Sequence, residues 1–308
     1  MAKKWVVTGA NGNLGRKLVR ELAEAGEAVV AVVRSERAAK TIRDFVSKAH
    51  DLEIQIIDYT DVAALRGVSE DASYVVHLVG IIKEGGGATY HDAHELSVGA
   101  LVEALSDRPD VHITYLSIVG SHPESQNACL ASKGKAEAIL AASPNPVCVL
   151  KVPMVLGEDD YVSIGLQKRV LSGKATGFRM ASIEQPIYAG DVTRAIQCAA
   201  ARTVDESLEL GGPEALSRAE LSVRAGQIFS RDVSISSLPI GLGKLLASVL
   251  NAMLSNPPIT PAMLDILDHD DQIDNTQALA ALGLTELTSL DQMLQLTLSS
   301  PELTQSSG

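Results

Sequence analysis

The sequence predicts an α/β protein: a Rossmann-type doubly wound parallel sheet with a smaller, mostly helical C-terminal substrate-side domain. Three observations predict it. Short β-branched runs alternate with helical patterns through the first half, a glycine triplet follows the first run directly, and the rhythm turns mostly helical beyond Val152.

The first run, WVVTG, leads from Trp5 into Gly9. Leu14, Leu18, Val19 and Leu22 then recur at helical spacing and Gly26 supplies a stop, so the chain from Asn13 to Gly26 reads as the crossover helix of a β-α-β unit. The second run, AVVAVVR, ends at Arg34, and the third, EIQIID, at Asp58. YVVHLVG closes at Gly80, HITYLS at Ser117 and VCVLKV at Val152. Turns at GEDD and SGKATG then precede QPIYAGDVTRAIQCAAA and LELGGPEALSRAELSVRAG. Residues 1–155 are therefore expected to form one domain, with 186–200 packing against it. Residues 156–185 and 201–308 are expected to form the second, over the carboxyl edge of the sheet. There is no internal repeat, and the tail SPELTQSSG is polar and expected to be loose.

With 308 residues and 46% apolar content the chain buries a substantial core. A formal charge of -12 argues against nucleic acid, which requires clustered Lys and Arg to displace counterions from phosphates. The three cysteines are odd in number and lack paired metal spacing, so reduced thiols and no metal site are expected. No stretch of signal-peptide character stands at the start, which points to the cytoplasm. The segment from Leu238 to Leu250 is interrupted by Lys244 and too short to span a bilayer, so it reads as a packed or interfacial helix.

Gly9, Gly12 and Gly15 stand three apart between a strand and a helix. In that setting the glycines serve a tight turn, close approach to a pyrophosphate and close helix packing, with helix amides as donors to the anion. Asn11, Asn13 and Leu14 belong to the same expected cofactor loop. The bland alternative is an ordinary strand-to-helix turn. At the end of the second run, where a carboxylate normally reads a ribose 2'-hydroxyl, stands Arg34, with Arg37 and Lys40 nearby. A guanidinium grips a 2'-phosphate through paired hydrogen bonds, so NADP(H) is expected over NAD(H), the alternative being a solvated basic turn. Asp58 reads either as an acceptor for the adenine amino group or as a helix cap.

TGANGNLG, VVHLVG, SKGKAE, LKVPMVLGEDD and QPIYAGDVTRAI occur in the order of the corresponding segments of the short-chain dehydrogenase/reductase superfamily. The chain resembles its atypical branch, which includes the NADPH-binding accessory subunit of respiratory complex I and the NmrA-like proteins. The resemblance implies Gly9, Gly12 and Gly15 on the pyrophosphate and Arg34 on the 2'-phosphate. It also implies Leu78, Val79 and Gly80 along the adenine ribose, Lys133 on the nicotinamide ribose, and Val152 and Met154 near the nicotinamide. Two departures stand out: Cys129 replaces the tyrosine four residues before Lys133, and the serine pair of the fifth strand is reduced to Ser117 followed by Ile118.

In the family the tyrosine protonates a carbonyl oxygen as hydride arrives, and the lysine lowers its pKa. Cys129 keeps the direction of that side chain and loses its reach. A thiol beside Lys133 is expected to tend towards thiolate, and Cys129 reads as a small packing residue in preference to a catalytic one. Tyr90, His91, His94, His122 and Tyr161 are alternative acids in segments at the carboxyl edge of the sheet, with Gly85 to Gly87 as a candidate lid or a flexible connection. The expected activity is NADP(H)-dependent reduction of a small, largely apolar carbonyl or enone, using Lys133, Ser117, Tyr90 and His91. A cofactor-bound scaffold, assembly factor or redox sensor, and an epimerase with tightly held cofactor, are the alternatives. A homodimer or a protein partner is compatible with all three.

Overall fold

The computed structural model describes residues 3–46, 51–253, 260–266 and 270–298; the polar tail from Ser300 lies outside them. The elements run β1 (Lys4–Thr8), α1 (Asn13–Glu24), β2 (Ala28–Val33), α2 (Glu36–Phe45), β3 (Leu52–Ile56), α3 (Val62–Val68) and β4 (Tyr74–His77). A π-helical turn (His91–Leu96) then runs into α4 (Ser97–Ala104), followed by β5 (His112–Ile118), α5 (Ala128–Ala141) and β6 (Val147–Val152). Next come β7 (Val155–Leu156), α6 (Tyr161–Leu171), β8 (Lys174–Phe178), β9 (Ile183–Glu184), β10 (Ile187–Tyr188), α7 (Ala189–Arg202) and β11 (Ser207–Glu209). The chain finishes with β12 (Leu216–Ser217), α8 (Arg218–Ile228), β13 (Ser234–Leu238), α9 (Ile240–Met253), α10 (Pro261–Ile266), α11 (Thr276–Leu282) and α12 (Leu290–Leu298).

Two compact units result: Met1–Lys151 with Val192–Glu209 and Gln277–Leu284, and Val152–Asp191 with Leu210–Thr276 and Thr285–Gly308. The first holds a seven-stranded sheet in the order β11-β6-β5-β4-β1-β2-β3, with parallel pairings. Strands buried on both faces must be apolar nearly throughout, and Val6, Val30, Val75, Ile113 and Val149 join one core cluster. Strand order reverses beside β1, which lies between β2 and β4, so the carboxyl ends of β1 and β4 frame the crevice in which open α/β sheets bind ligands. Helix α1 ends where expected, with Gly26 at φ +78 and the Glu27 amide donating to Leu22 O.

Residues 201–209 and 277–284, read from the sequence with the second domain, belong instead to the first unit, where Ser207–Glu209 supply the edge strand β11 in register with β6 at Leu208 and Leu150; residues 152–155 and 186–191, read with the first, belong to the second. A three-residue strand carries too little pattern to be seen alone. The segment after β4 is likewise less loop-like than expected. Gly86 and Gly87, at φ +59 and +86, make a tight turn in which Gly85 and Ala88 exchange two backbone bonds of 3.1 Å, and helix begins almost at once.

The second unit packs Leu156, Leu166, Val170, Leu221, Met293 and Leu294 into its own core. Its strands form short pairs, β7 with β10, β9 with β12 and β8 with β13. Among the described residues no helix is long and apolar enough to cross a membrane, and no cluster of three or more His, Cys, Asp or Glu is placed to hold a metal.

Candidate active site

The three glycines of the first loop do three different jobs. Gly9 has φ +70, and a Cβ there would lie 2.8 Å from the Leu78 carbonyl carbon, so the loop backbone rests on the backbone leaving β4. A Cβ at Gly15 would lie 2.6 Å from Gly9 O and 2.7 Å from Ala10 O, which fixes the first turn of α1 against the loop. At Gly12 the one atom close to such a Cβ is Gly9 O at 3.3 Å, a tight contact that a shift of a few tenths of an ångström would relieve, so that position is the least enclosed of the three. Gly12 is also the N-cap of α1 and brings no side chain to it, and no acidic residue stands in the first turn. By contrast Ser35, Asp61, Asn127 and Asp160 cap α2, α3, α5 and α6 with their own oxygens. A helix start without an acidic residue or a side-chain cap suits an anion.

Tyr59 locks this loop and was not singled out from the sequence. Its hydroxyl accepts from the Gly9 amide at 3.1 Å and donates to Val32 O at 3.3 Å. The only local signal is an aromatic residue directly after Asp58.

A cavity of about 440 Å³ opens at the loop, lined by Gly9, Asn11 and Gly12, by Arg34, Asp58 and Tyr59, and by Leu78 to Ile81. Thr60, Gly87 to Thr89, Asp92, Ala93 and Leu96 complete its wall. The Arg34 guanidinium, exposed at the cavity wall, sits 5.4 Å from the Tyr59 ring centroid in a cation–π contact. Asp58 accepts from the Thr60 amide at 3.0 Å and its hydroxyl at 2.8 Å; these bonds, with Arg34 adding attraction, hold its carboxyl below the usual range. Asp58 does not cap a helix, that role in α3 falling to Asp61. Arg37 and Lys40 lie exposed on α2 outside the cavity lining, and Lys40 pairs with Asp44 at 2.6 Å. Asn13, Leu14 and Gly15 form the first turn of α1 and do not line the cavity. The glycine loop and the start of α1 beside this cavity fit the pyrophosphate of a nicotinamide dinucleotide.

Below Gly80 lies a buried polar cluster. A Cβ at Gly80 would meet Lys133 Nζ at 3.1 Å and His94 Nε2 at 3.4 Å. Lys133 donates to Leu116 O at 2.8 Å and stands 4.4 Å from the Tyr115 ring centroid, and burial lowers its pKa to about 8. Cys129 occupies the same helix face, fully buried, with its thiol directed at Ile81 O at 3.6 Å. Burial pushes it up to about 11 despite Lys133, so the expected drift towards thiolate does not occur; desolvation outweighs the neighbouring charge. Ser117, one residue beyond the Leu116 carbonyl that Lys133 holds, donates to Glu137, whose carboxylate pairs with Lys151 at 2.8 Å. Glu137 lies four residues after Lys133, a spacing that places both on one side of α5.

Neither Tyr90 nor His91 reaches the cavity. The Tyr90 hydroxyl donates to Ile82 O at 3.0 Å, and burial pushes its pKa up to about 12. His91 lies exposed with Nδ1 3.3 Å from the Glu95 carboxylate. The π-helical turn buries His94 instead: Nε2 accepts from the Ile81 amide at 3.1 Å, and burial, with the Lys133 charge adding, lowers its pKa to about 3. His122 accepts from the Glu124 amide at 3.2 Å within an exposed turn. In the second unit Tyr161 is exposed at the start of α6, and Met154 packs against that unit's core. Val152 is the last residue of β6.

Residues 9–184 match the family model described as NAD(P)H-binding. The NADH dehydrogenase [ubiquinone] 1 alpha subcomplex subunit 9 of Arabidopsis thaliana is 25% identical over 82% of this chain and 64% of its own length. The NADH-ubiquinone oxidoreductase 40 kDa subunit of Neurospora crassa is 25% identical over 87% of this chain and 71% of its own. A ceramide reductase of Caulobacter vibrioides is 26% identical over 52% of this chain and 49% of its own. The chain thus spans roughly half to seven tenths of these relatives. In structure, the UDP-glucuronic acid 4-epimerase of Bacillus cereus, solved with UDP-glucuronic acid and NAD, matches with a TM-score of 0.74 at 17% identity over 96% of this chain and 98% of that one. Bordetella bronchiseptica WbmH, solved with NAD+, matches at 0.73 and 15% identity over 97% and 98%. The glycine cradle, the seven-stranded parallel sheet and the matched family region lead to one conclusion: this chain belongs to the NAD(P)H-binding family, as an atypical member of the short-chain dehydrogenase/reductase superfamily.

Proposed function

We propose that this chain binds NADP(H) in preference to NAD(H) and keeps it as a resident ligand, in the manner of a cofactor-bound scaffold or redox sensor. The observation that supports the choice of nucleotide is Arg34, over Tyr59 at the cavity wall, at the position where an acidic residue selects a ribose hydroxyl. Gly12 leaves the start of α1 without a side chain for the pyrophosphate to meet, and Lys133 stands beneath Gly80. Bound nicotinamide supplies or accepts a hydride; the accompanying proton is what this chain provides poorly. The tyrosine position holds a buried thiol, Tyr90 is bonded to Ile82 O, and His94 is neutral and bonded to the Ile81 amide. The two relatives that cover most of the chain are named as subunits of a larger enzyme, which supports a protein partner. A cytoplasmic site of action is part of the same proposal.

A second reading, reduction of a small, largely apolar carbonyl or enone, is favoured by the retention of Ser117 and of Lys133, which holds the carbonyl of Leu116, the residue before Ser117. The likeness to a reductase of ceramide supports it over half of the chain.

The test is titration of the purified protein with NADPH and NADH. A charge-assisted contact from Arg34 is worth roughly 1.5 to 3 kcal/mol, so NADPH should bind about ten- to a hundredfold more tightly, and Arg34→Asp should reverse the order. Equal affinities in the parent protein would remove the NADP(H) assignment. Steady consumption of NADPH in the presence of aldehydes, ketones or enones would replace the resident-ligand reading with the reductase.

A further inference from the structure

Helix α9 in the second unit is packed the wrong way round for a core helix. Its buried positions are small: a Cβ at Gly243 would lie 2.7 Å from the Phe178 ring, and Ala247 is 1% exposed. Four of its large apolar side chains point outwards, with Leu242 at 54%, Leu245 at 64%, Leu246 at 53% and Met253 at 76% exposure, while Ile240 and Leu250 are half-buried. Spacings of three, four and eleven residues gather these four on one stripe. Burying glycine and alanine while leaving three leucines and a methionine in water forgoes the burial energy of those four side chains. The stripe is therefore shaped for an apolar contact outside the unit.

We propose that α9 is a membrane-surface element that seats this unit in the plane of an uncharged lipid bilayer. Charge favours that occupant. About one residue in eight of the chain is acidic, yet from Val233 to Leu264 there is no Asp or Glu, and Lys244 is the single basic residue. The stretch that carries the stripe is thus the one from which the charge of -12 has been removed. Among the described residues of α9 the polar side chains are already engaged within the unit: the Ser248 hydroxyl bonds back to Lys244 O at 2.8 Å, and Lys244 pairs with Asp265 at 2.8 Å. A specific protein interface uses about one hydrogen bond per 100 to 200 Å², whereas a fluid hydrocarbon phase asks for none. At 14 residues α9 is too short to cross a bilayer, so its apolar face lies in the interface. The net negative charge of the chain, and the absence of a basic cluster in this stretch, set it against an anionic leaflet. None of this rests on nucleotide binding.

The experiment is flotation of the full chain with phosphatidylcholine vesicles, alongside L242S/L245S/L246S, whose fold is checked by thermal melting. The parent should float, the triple variant should partition at least about tenfold less, and added phosphatidylglycerol should not strengthen binding. No flotation, equal flotation of the variant, or binding only with anionic lipid would overturn the proposal. So would self-association abolished by the variant in the absence of vesicle binding, which would assign the stripe to a second copy. Should the triple variant unfold, Leu246→Trp keeps the test open. Trp5 is buried in β1 and gives a constant background, so the new emission should shift to the blue on vesicles and be quenched by brominated lipid. Unchanged emission would overturn the proposal equally.

Discussion

Replacing Tyr59 with phenylalanine removes one oxygen and tests how the glycine loop is held. The Gly9 amide loses its acceptor at 3.1 Å, while Val32 O keeps a second donor, the Ala10 amide at 3.3 Å. The cost is therefore that of one unsatisfied donor in a mostly buried place, about 1 to 2 kcal/mol. For a chain of this size that lowers the melting temperature by roughly 2 to 6 °C. The ring remains beneath Arg34, so the ratio of NADPH to NADH affinity should not change. Tyr59→Leu removes the ring as well and should also weaken NADPH binding about two- to fivefold, the worth of an exposed cation–π contact. The assays are thermal melting and calorimetric titration with both nucleotides. A phenylalanine variant that melts within about a degree of the parent would refute the hydroxyl as the lock. A leucine variant with unaltered NADPH affinity would refute the ring as the platform for Arg34.

The glycines separate in the same assays. Gly12→Val, at φ -65 and with only Gly9 O nearby at 3.3 Å, should melt near the parent yet lose at least about tenfold in NADPH affinity. Gly15→Val, driven into two carbonyls, should lose about 1 to 3 kcal/mol of stability before any binding is measured. Acid should unfold the protein partly through His77 and His94, both buried and lowered to about 3. Because the folded pKa lies below the ordinary 6.5, the unfolded chain binds the extra proton. Stability is full above pH 6.5 and falls as pH drops below it, by up to about 1.4 kcal/mol per unit for each histidine. Urea midpoints measured at steps below pH 6.5 should decline less steeply in His94→Gln than in the parent; parallel declines would exclude His94 as a contributor.

Features carried by local pattern were legible in the sequence. Six β-branched runs became six neighbouring strands of the sheet, and the triplet at Gly9, Gly12 and Gly15 became the turn between β1 and α1, because each is specified within a few residues. Tyr59 could not be read this way, since its partner Gly9 lies fifty residues earlier and meets it only once β1 and β3 share a sheet. The acids fail for the same reason. Tyr90 and His91 look equally available in TYHDAHEL, and only the π-helical turn turns His94 inward while leaving His91 in solvent. The fate of Cys129 likewise depended on burial, which a single sequence does not report and which outweighs the charge of Lys133.

The edge strand β11 bears on how the protein is made. A ribosome delivers β6 more than fifty residues before Ser207–Glu209 arrive to pair with it, and Gln277–Leu284 emerge later still. Until then the nascent first unit presents an unpaired row of amides and carbonyls along β6, the kind of surface on which chains join edge to edge. A fragment cut at Lys151 would keep that vulnerability permanently, so the dinucleotide-binding half does not amount to a separable module.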